Sequence, residues 1–160
     1  KTVILIVDEA QKLDTKSLEV LRVLLNYETN EYKLLQLVLL GQLELYAKII
    51  NIPNFMDRIS FKYTLNPLDE DETHKVIEFR IGQAGYHGKI RLFPNDAIKE
   101  IHRYTRGYPR QIALLCHNAL KRVVMENKAS VDESIVRSLI NEEVRSGWQT
   151  KLSQPLKSSY

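Results

Sequence analysis

Two periods of hydrophobic residues run along this chain, and they predict two kinds of structure. Val3–Val7 is an unbroken run of valine, isoleucine and leucine, and residues 34–40 form a second run interrupted by one glutamine. Continuous apolarity is typical of strands that are buried on both faces, as in a parallel sheet. Residues 59–65 alternate in part between apolar and polar side chains and predict a third strand.

Helical spacing lies between these strands. Asp14 or Thr15 can cap a first helix, because both side chains accept hydrogen bonds from the free amides of a first turn. The leucines of this helix recur at helical spacing: Leu18, Leu21, Leu24 and Leu25. A short helix is predicted at residues 43–50, and Pro53 stands beyond its end. Strand, helix, strand, short helix and strand indicate an α/β fold.

From residue 67 onward only helical periodicity remains. Asp69 and Glu72 have the spacing of a capping box at the start of a helix that reaches Gly82. Three further helices are predicted: residues 95–105, a helix that begins at Pro109, and residues 132–144. The predicted organisation is an α/β part at residues 1–66, an all-α part at 67–145 and a flexible polar tail at 146–160.

Composition narrows the classes of protein that fit this pattern. A hydrophobic fraction of 44% supports an ordinary globular core. With 23 basic and 20 acidic residues, the net charge of +3 does not require nucleic acid or an anionic membrane as a partner. The single Cys116 excludes an internal disulfide and indicates a reducing compartment. The apolar runs are too short to span a bilayer.

Polar side chains follow the first two predicted strands. Asp8 and Glu9 come directly after the first strand, and Gln42 follows the second. Open parallel sheets bind ligands at the carboxyl ends of their strands. There Asp8 could hold a magnesium ion through water, and Glu9 could polarise an attacking water. The amide of Gln42 could report on a γ-phosphate; solvated surface turns are the alternative interpretation of both positions.

Two arginines at element boundaries are further candidates. Arg58 directly precedes the predicted third strand, where it could be a surface charge or an arginine finger that reaches a neighbouring subunit's phosphate. Arg110 follows Pro109 in the first turn of a helix, and a cation there opposes the helix dipole. That cost makes a functional reason more plausible, such as an anion at the helix end, although a solvated arginine is the alternative.

Two other kinds of site carry less weight. Arginines and tyrosines alternate over residues 103–110 and could contact nucleic acid, but a solvated helix end fits them as well. The histidines lack the spacing of zinc ligands, and Cys116 has no nearby second cysteine. Of the metals, we therefore retain only magnesium.

In their order, these parts resemble the second half of an AAA+ ATPase. Within that superfamily the chain is similar to ATPases of the general secretion pathway A type. Three stretches carry the likeness: LLQLVLLGQLEL, MDRISFKYTLNPLDEDET and IHRYTRGYPRQIALLCHNAL. It extends from about residue 2 to about residue 143. Related ATPases that select DNA targets for transposition share the same parts.

The resemblance implies a role for each candidate. Asp8 and Glu9 would be the Walker B pair, with Asp8 at the magnesium ion and Glu9 catalytic. Gln42 would occupy the sensor 1 position, where many relatives carry Asn, Thr or Ser. Arg58 would be the arginine finger, and Arg110 would be sensor 2, reaching from a helical lid to the γ-phosphate. ATP and Mg²⁺ are the implied cofactors. The implied fold is a partial parallel-sheet P-loop NTPase core followed by an all-α lid.

The chain departs from this family in one respect, because it contains no Gly-x-x-x-x-Gly-Lys-Ser/Thr phosphate loop. In the family, the strand before that loop lies between the strands predicted here at residues 34–40 and 59–65. We therefore expect a fragment of a longer ATPase, which the abrupt start at Lys1 favours over a degenerate relative. Alone, it should bind nucleotide poorly and should not hydrolyse it.

The expected parent is a homo-oligomer that hydrolyses ATP to drive secretion-pathway or envelope assembly, with a protein of that machinery as a partner. Its expected location is the cytoplasm, either free or as the cytoplasmic domain of an inner-membrane protein. Two alternatives remain: a DNA-binding adaptor of the transposition type, and an interaction domain that does not hydrolyse ATP.

Overall fold

The computed structural model describes residues 3–26 and 34–146. The chain divides into two compact units, Lys1–Thr64 and Leu65–Tyr160. The predicted tail lies outside the described residues from residue 147 onward.

The first unit is built on two parallel strands. Strands β1 (Val3–Val7) and β2 (Leu35–Leu39) pair in register, with Val3 opposite Leu35 and Val7 opposite Leu39. Helix α1 (Thr15–Leu24) lies between them in the chain, as a parallel pair requires a crossover rather than a tight turn. The predicted cap is confirmed at Asp14, whose Oδ1 accepts a hydrogen bond of 2.8 Å from the Ser17 amide.

Short helical elements complete this unit. A 3₁₀ turn (Ala10–Lys12) follows β1, α2 (Leu43–Ile49) follows β2, and a second 3₁₀ turn (Met56–Arg58) comes after α2. Their apolar side chains form one core with α1, and its buried members are Ala10, Leu18, Leu45, Ile49, Ile52 and Phe55.

In residues 3–26 and 34–146, one face of the sheet packs against the core and the other is exposed. Val7 and Leu39 pack against the core, whereas Ile4, Ile6 and Val38 are exposed. The prediction that the strands are buried on both faces is therefore wrong for the described residues. The helices of this unit contribute their buried side chains to a single core, so they cover only one face.

The prediction of a third strand at residues 59–65 is also wrong. Within the described ranges the sheet has two strands, and this segment joins no ladder. Phe61, Tyr63 and Leu65 expose 81%, 74% and 86% of their surface. A strand needs a neighbour for its backbone amides and carbonyls, and no such neighbour exists among the described residues.

The second unit is all-α. Its helices are α3 (Glu70–Gln83), α4 (Asn95–Thr105), α5 (Pro109–Met125) and α6 (Glu133–Arg145). They confirm the helices predicted from periodicity. The predicted capping box is also confirmed: the Asp69 carboxylate accepts from the Glu72 amide at 2.7 Å, and the Glu72 carboxylate accepts from the Asp69 amide at 3.0 Å.

All four helices contribute to one apolar core. Its fully buried members include Phe93, Ala97, Ile101, Val131 and Val136. Among the described helices of the chain, none has the length and hydropathy needed to cross a membrane.

A glycine fixes the start of α5 against the entry to α3. Gly107 has a φ of +78°, a conformation that favours glycine, and its carbonyl accepts a hydrogen bond of 2.9 Å from the Leu68 amide. A Cβ at this position would lie 1.8 Å from the Leu68 carbonyl oxygen. The His102 ring nitrogen Nε2 lies 3.2 Å from that same oxygen. Position 107 therefore has no room for a side chain.

Substitution of Gly107 should be costly, and Gly82 offers a matched control. Gly107→Ala is expected to lower the free energy of unfolding by about 2 kcal/mol or more, because positive φ and backbone overlap act together. Gly82 lies inside α3, and a Cβ there would meet no atom within 4 Å. Gly82→Ala should be neutral or stabilising by up to about 1 kcal/mol. Urea unfolding followed by helical circular dichroism measures both variants. Equal effects would contradict this account of Gly107.

Asp132 caps α6, and the pKa of its carboxyl is lowered. Its Oδ1 accepts hydrogen bonds from the Ser134 hydroxyl at 2.5 Å and from the Ile135 amide at 2.9 Å. The two hydrogen bonds lower the pKa of the Asp132 carboxyl from 3.8 to about 2. The bond from Ser134 has the larger effect and the bond from the Ile135 amide the next. The folded state therefore favours the ionised form, so the stabilisation is present above pH 4 and is lost as the pH falls towards 2.

Asp132→Asn should remove this pH dependence and keep the cap, because asparagine caps helices about as well as aspartate. We expect the wild type to be more stable than the variant by about 1 kcal/mol above pH 4, since the exposure of the side chain weakens the effect. The difference should disappear near pH 2. Chemical denaturation at several pH values measures it, and a difference independent of pH would contradict the assignment.

Candidate functional site

Asp8 and Glu9 form the turn that leaves β1, and both side chains are exposed. Asp8 Oδ1 accepts a hydrogen bond of 2.7 Å from the Glu9 amide. Glu9 has a left-handed backbone, with φ 51° and ψ 35°, and its carboxylate pairs with Lys12. A left-handed residue breaks the alternation of a strand, so the two carboxylates are not forced onto opposite faces of the sheet.

Gln42 lies at the same edge of the sheet as the two carboxylates. The parallel register continues beyond the strands: the Leu40 amide donates to the Val7 carbonyl at 2.9 Å, and the Ala10 amide donates to the Leu40 carbonyl at 2.8 Å. Gln42 follows directly as the N-cap residue of α2, and its exposed side chain makes no cap hydrogen bond. The fold thus brings three of the five predicted site residues to one edge.

Two further side chains at this edge, Gln11 and Lys48, make hydrogen bonds that the sequence did not predict. Gln11 Oε1 accepts a hydrogen bond of 3.2 Å from the Gln42 amide. From α2, Lys48 Nζ donates to the Gln11 carbonyl at 2.6 Å and to the Leu13 carbonyl at 3.0 Å. Gln11 was visible as the fourth residue of Asp-Glu-Ala-Gln. Lys48 carries no sequence signal, since its partners lie 37 and 35 positions away in the chain.

The two predicted arginines are exposed at helix boundaries. Arg58 is the last residue of the 3₁₀ turn Met56–Arg58 in the first unit. The residue that precedes this turn, Phe55, is buried. Arg110 is the second residue of α5 in the second unit, directly after Pro109. In the described parts of the chain, no carboxylate lies within ion-pair distance of either guanidinium.

Metal and nucleophile chemistry have few candidates here. Nowhere in residues 3–26 and 34–146 do three His, Cys, Asp or Glu side chains converge as a metal cluster would require. Burial raises the pKa of the Cys116 thiol to about 12, so it stays protonated at neutral pH and is a poor nucleophile. The exposed carboxylates of Asp8 and Glu9 do suit Mg²⁺, which keeps several waters and binds through one or two carboxylates and substrate phosphates.

A groove on the second unit is lined by charged side chains that already pair with one another. It is lined by Glu100, Arg103, Arg137, Ile140 and Asn141. Glu100 is buried, and its Oε1 lies 2.5 Å from an Arg103 nitrogen and 3.7 Å from Arg137 Nε. The Arg103 hydrogen bond lowers the pKa of this carboxyl. Both arginines therefore already serve a buried carboxylate.

Comparison with known proteins gives consistent results. A family profile described as an AAA domain matches residues 1–49. General secretion pathway protein A of Aeromonas hydrophila is 40% identical over 122 residues, which cover 75% of this chain and 22% of that protein. A potential ATP-binding protein of Staphylococcus aureus is 30% identical over 110 residues, covering 68% of this chain and 39% of that protein. The chain thus spans well under half of either relative.

A solved structure supports the same fold. The Aeropyrum pernix ORC2 protein, solved in ADPNP–ADP complexes, aligns with 95% of this chain and 42% of its own, with a TM-score of 0.61 and 16% identity. At that identity the likeness shows the fold alone, a P-loop NTPase core with a helical lid. Since the parallel strand pair, the helical unit and the sequence matches agree, the chain belongs to the AAA+ ATPases and is similar to those of the general secretion pathway A type.

Proposed function

We propose that this chain supplies the magnesium and sensor half of the nucleotide site, with its helical lid, in an oligomeric AAA+ ATPase that binds and hydrolyses ATP. The observation that carries the proposal is the shared edge of the sheet. There, parallel pairing of β1 with β2 brings Asp8 and Glu9 beside Gln42. This edge is where sheets of this class bind ligands.

The two carboxylates of the turn after β1, Asp8 and Glu9, would have different roles. Asp8 would hold Mg²⁺ through water, and the ion, when bound, neutralises charge on the phosphates. Glu9 would orient the attacking water and accept its proton, for which an exposed carboxylate is suited. Gln42 would direct its side-chain amide at the γ-phosphate, since that side chain makes no bond to its own helix.

The two arginines would add positive charge from outside this edge. Arg58 would act across a subunit interface as an arginine finger, and Arg110 would act from the lid as sensor 2. Guanidinium groups stay charged at all relevant pH values and bind phosphate oxygens in pairs. Their exposure and the absence of a carboxylate partner in the described residues support these roles. Closure of the lid would couple hydrolysis to motion between subunits.

The phosphate loop would come from a part of the whole protein outside these 160 residues, since the sequence contains none. We therefore propose that the chain alone binds nucleotide weakly. For the whole protein we propose a role in secretion or envelope assembly at the cytoplasmic side of the membrane; similarity to a general secretion pathway protein supports the secretion part of this proposal. The DNA-binding alternative is less favoured, because the Arg103 guanidinium already pairs with Glu100.

ATP turnover by the full-length protein with magnesium tests the proposal. Glu9→Gln should still bind ATP but should lower kcat by about 100-fold or more, because it removes the general base. Arg58→Ala should lower kcat by about 1,000-fold under conditions in which subunits assemble. Glu44→Gln and Arg145→Ala, at exposed positions on α2 and α6, are matched controls and should behave as the wild type.

A wild type that binds no nucleotide would contradict the proposal and would favour an interaction domain with an acidic surface turn. Salt-dependent DNA binding that is lost in an Arg103→Ala, Arg106→Ala variant would instead favour the adaptor.

A further inference from the structure

The turn that carries Glu9 has contacts of its own, since the Glu9 amide donates to Asp8 Oδ1 and the Glu9 carboxylate pairs with Lys12. Glu9 is exposed and adopts the left-handed conformation without a side-chain cap. Of the residues in this turn, Ala10 alone is buried. These contacts lie within the turn, so the location of the turn relative to Gln42 depends on the hydrogen bonds that tie it to its neighbours.

Gln11 and Lys48 supply side-chain hydrogen bonds of this kind from two directions. Gln11 links the turn to the start of α2 through the Gln42 amide, and Lys48 links it to the body of α2 through two backbone carbonyls. Lys48 is half-buried, and its ammonium group donates to the carbonyls on either side of Lys12. Hydrogen bonds from a charged donor are shorter and stronger than neutral ones.

Gly41 shows how closely the two turns approach. A Cβ at Gly41 would lie 3.0 Å from Gln11 Oε1, 3.2 Å from the Gln11 amide nitrogen and 2.9 Å from a methyl carbon of Leu45. The amide of Gln11 and its side chain are therefore both packed on this glycine. The turn after β1 and the turn after β2 form one hydrogen-bonded unit.

We propose that Gln11 and Lys48 are positioning residues for ATP hydrolysis, which fix Glu9 relative to Gln42 at the sheet edge without contacting nucleotide. This inference rests on the proposed function. A displacement of about 1 Å at a reacting group can cost roughly 100-fold in rate. Loss of either link should therefore act on the chemical step and leave nucleotide binding almost unchanged.

The test uses the full-length protein and variants of matched size. Gln11→Met keeps the side-chain length but removes the acceptor, whereas Gln11→Glu keeps an acceptor. Lys48→Met removes the donor, whereas Lys48→Arg keeps donors. Gln83→Met and Lys16→Met, at exposed positions on α3 and α1, are controls. The measurements are kcat and KM for ATP, the melting temperature, and hydrogen exchange at the Gln42 amide.

We expect kcat to fall by about 10-fold to 100-fold in both methionine variants at the site, with KM within about twofold of the wild type. Gln11→Glu and Lys48→Arg should recover at least part of that loss. The Gln42 amide should exchange faster in Gln11→Met, because it loses its acceptor. Melting temperatures and the controls should stay near the wild type.

Three outcomes would overturn the inference. If Gln11→Met and Lys48→Met keep wild-type kcat while Glu9→Gln is inactive, the positioning role is wrong and the proposed ATPase function stands. If kcat falls only together with the melting temperature, and the conservative variants recover nothing, the two residues are merely structural. If the wild type itself does not turn over ATP, the proposed function fails and the inference fails with it. Hydrogen exchange at the Gln42 amide would then report only on its hydrogen bond to Gln11.

Discussion

The parallel pairing of β1 with β2 is the constraint on which the first unit depends. Parallel strands cannot be joined by a tight turn, so the chain crosses back through α1, whose Leu18 enters the core. The same pairing makes both strands end at one edge. Two turns that are far apart in sequence then share backbone hydrogen bonds there, from Leu40 to Val7 and from Ala10 to Leu40. Strand pairing thus brings the acidic turn and the glutamine turn to one edge, where Gln11 and Lys48 add side-chain links.

In the second unit, local interactions rather than strand pairing determine where the helices begin. Its helices begin at positions set by local chemistry: a capping box at Asp69, a proline at Pro109 and an aspartate cap at Asp132. One backbone contact adds a long-range link, where Gly107 and Leu68 meet without space for a Cβ. The first turn of α5, with Arg110, is thereby held to the entry of α3.

The sequence was most informative where structure is decided locally. Helix periods and caps predicted every described α-helix, and the prediction of parallel strands was enough to expect Asp8 and Gln42 at one edge. It failed at residues 59–65 and at the outer sheet face, because pairing and burial depend on neighbours that alternation does not reveal. Lys48 was invisible for the same reason, since a lysine that bonds two carbonyls has no local pattern. The roles predicted for the five site residues, Asp8, Glu9, Gln42, Arg58 and Arg110, all stay predictions.

The uncovered sheet face has a consequence for how this polypeptide behaves at high concentration. Ile4, Ile6 and Val38 present apolar surface beside strand edges that pair with no other strand among the described residues. Phe61 and Tyr63 add two stacked aromatic rings that face solvent. Exposed strand edges with apolar side chains are templates for pairing with another chain. Among the described residues no segment covers this face, so the first unit taken alone offers a surface for association with another polypeptide.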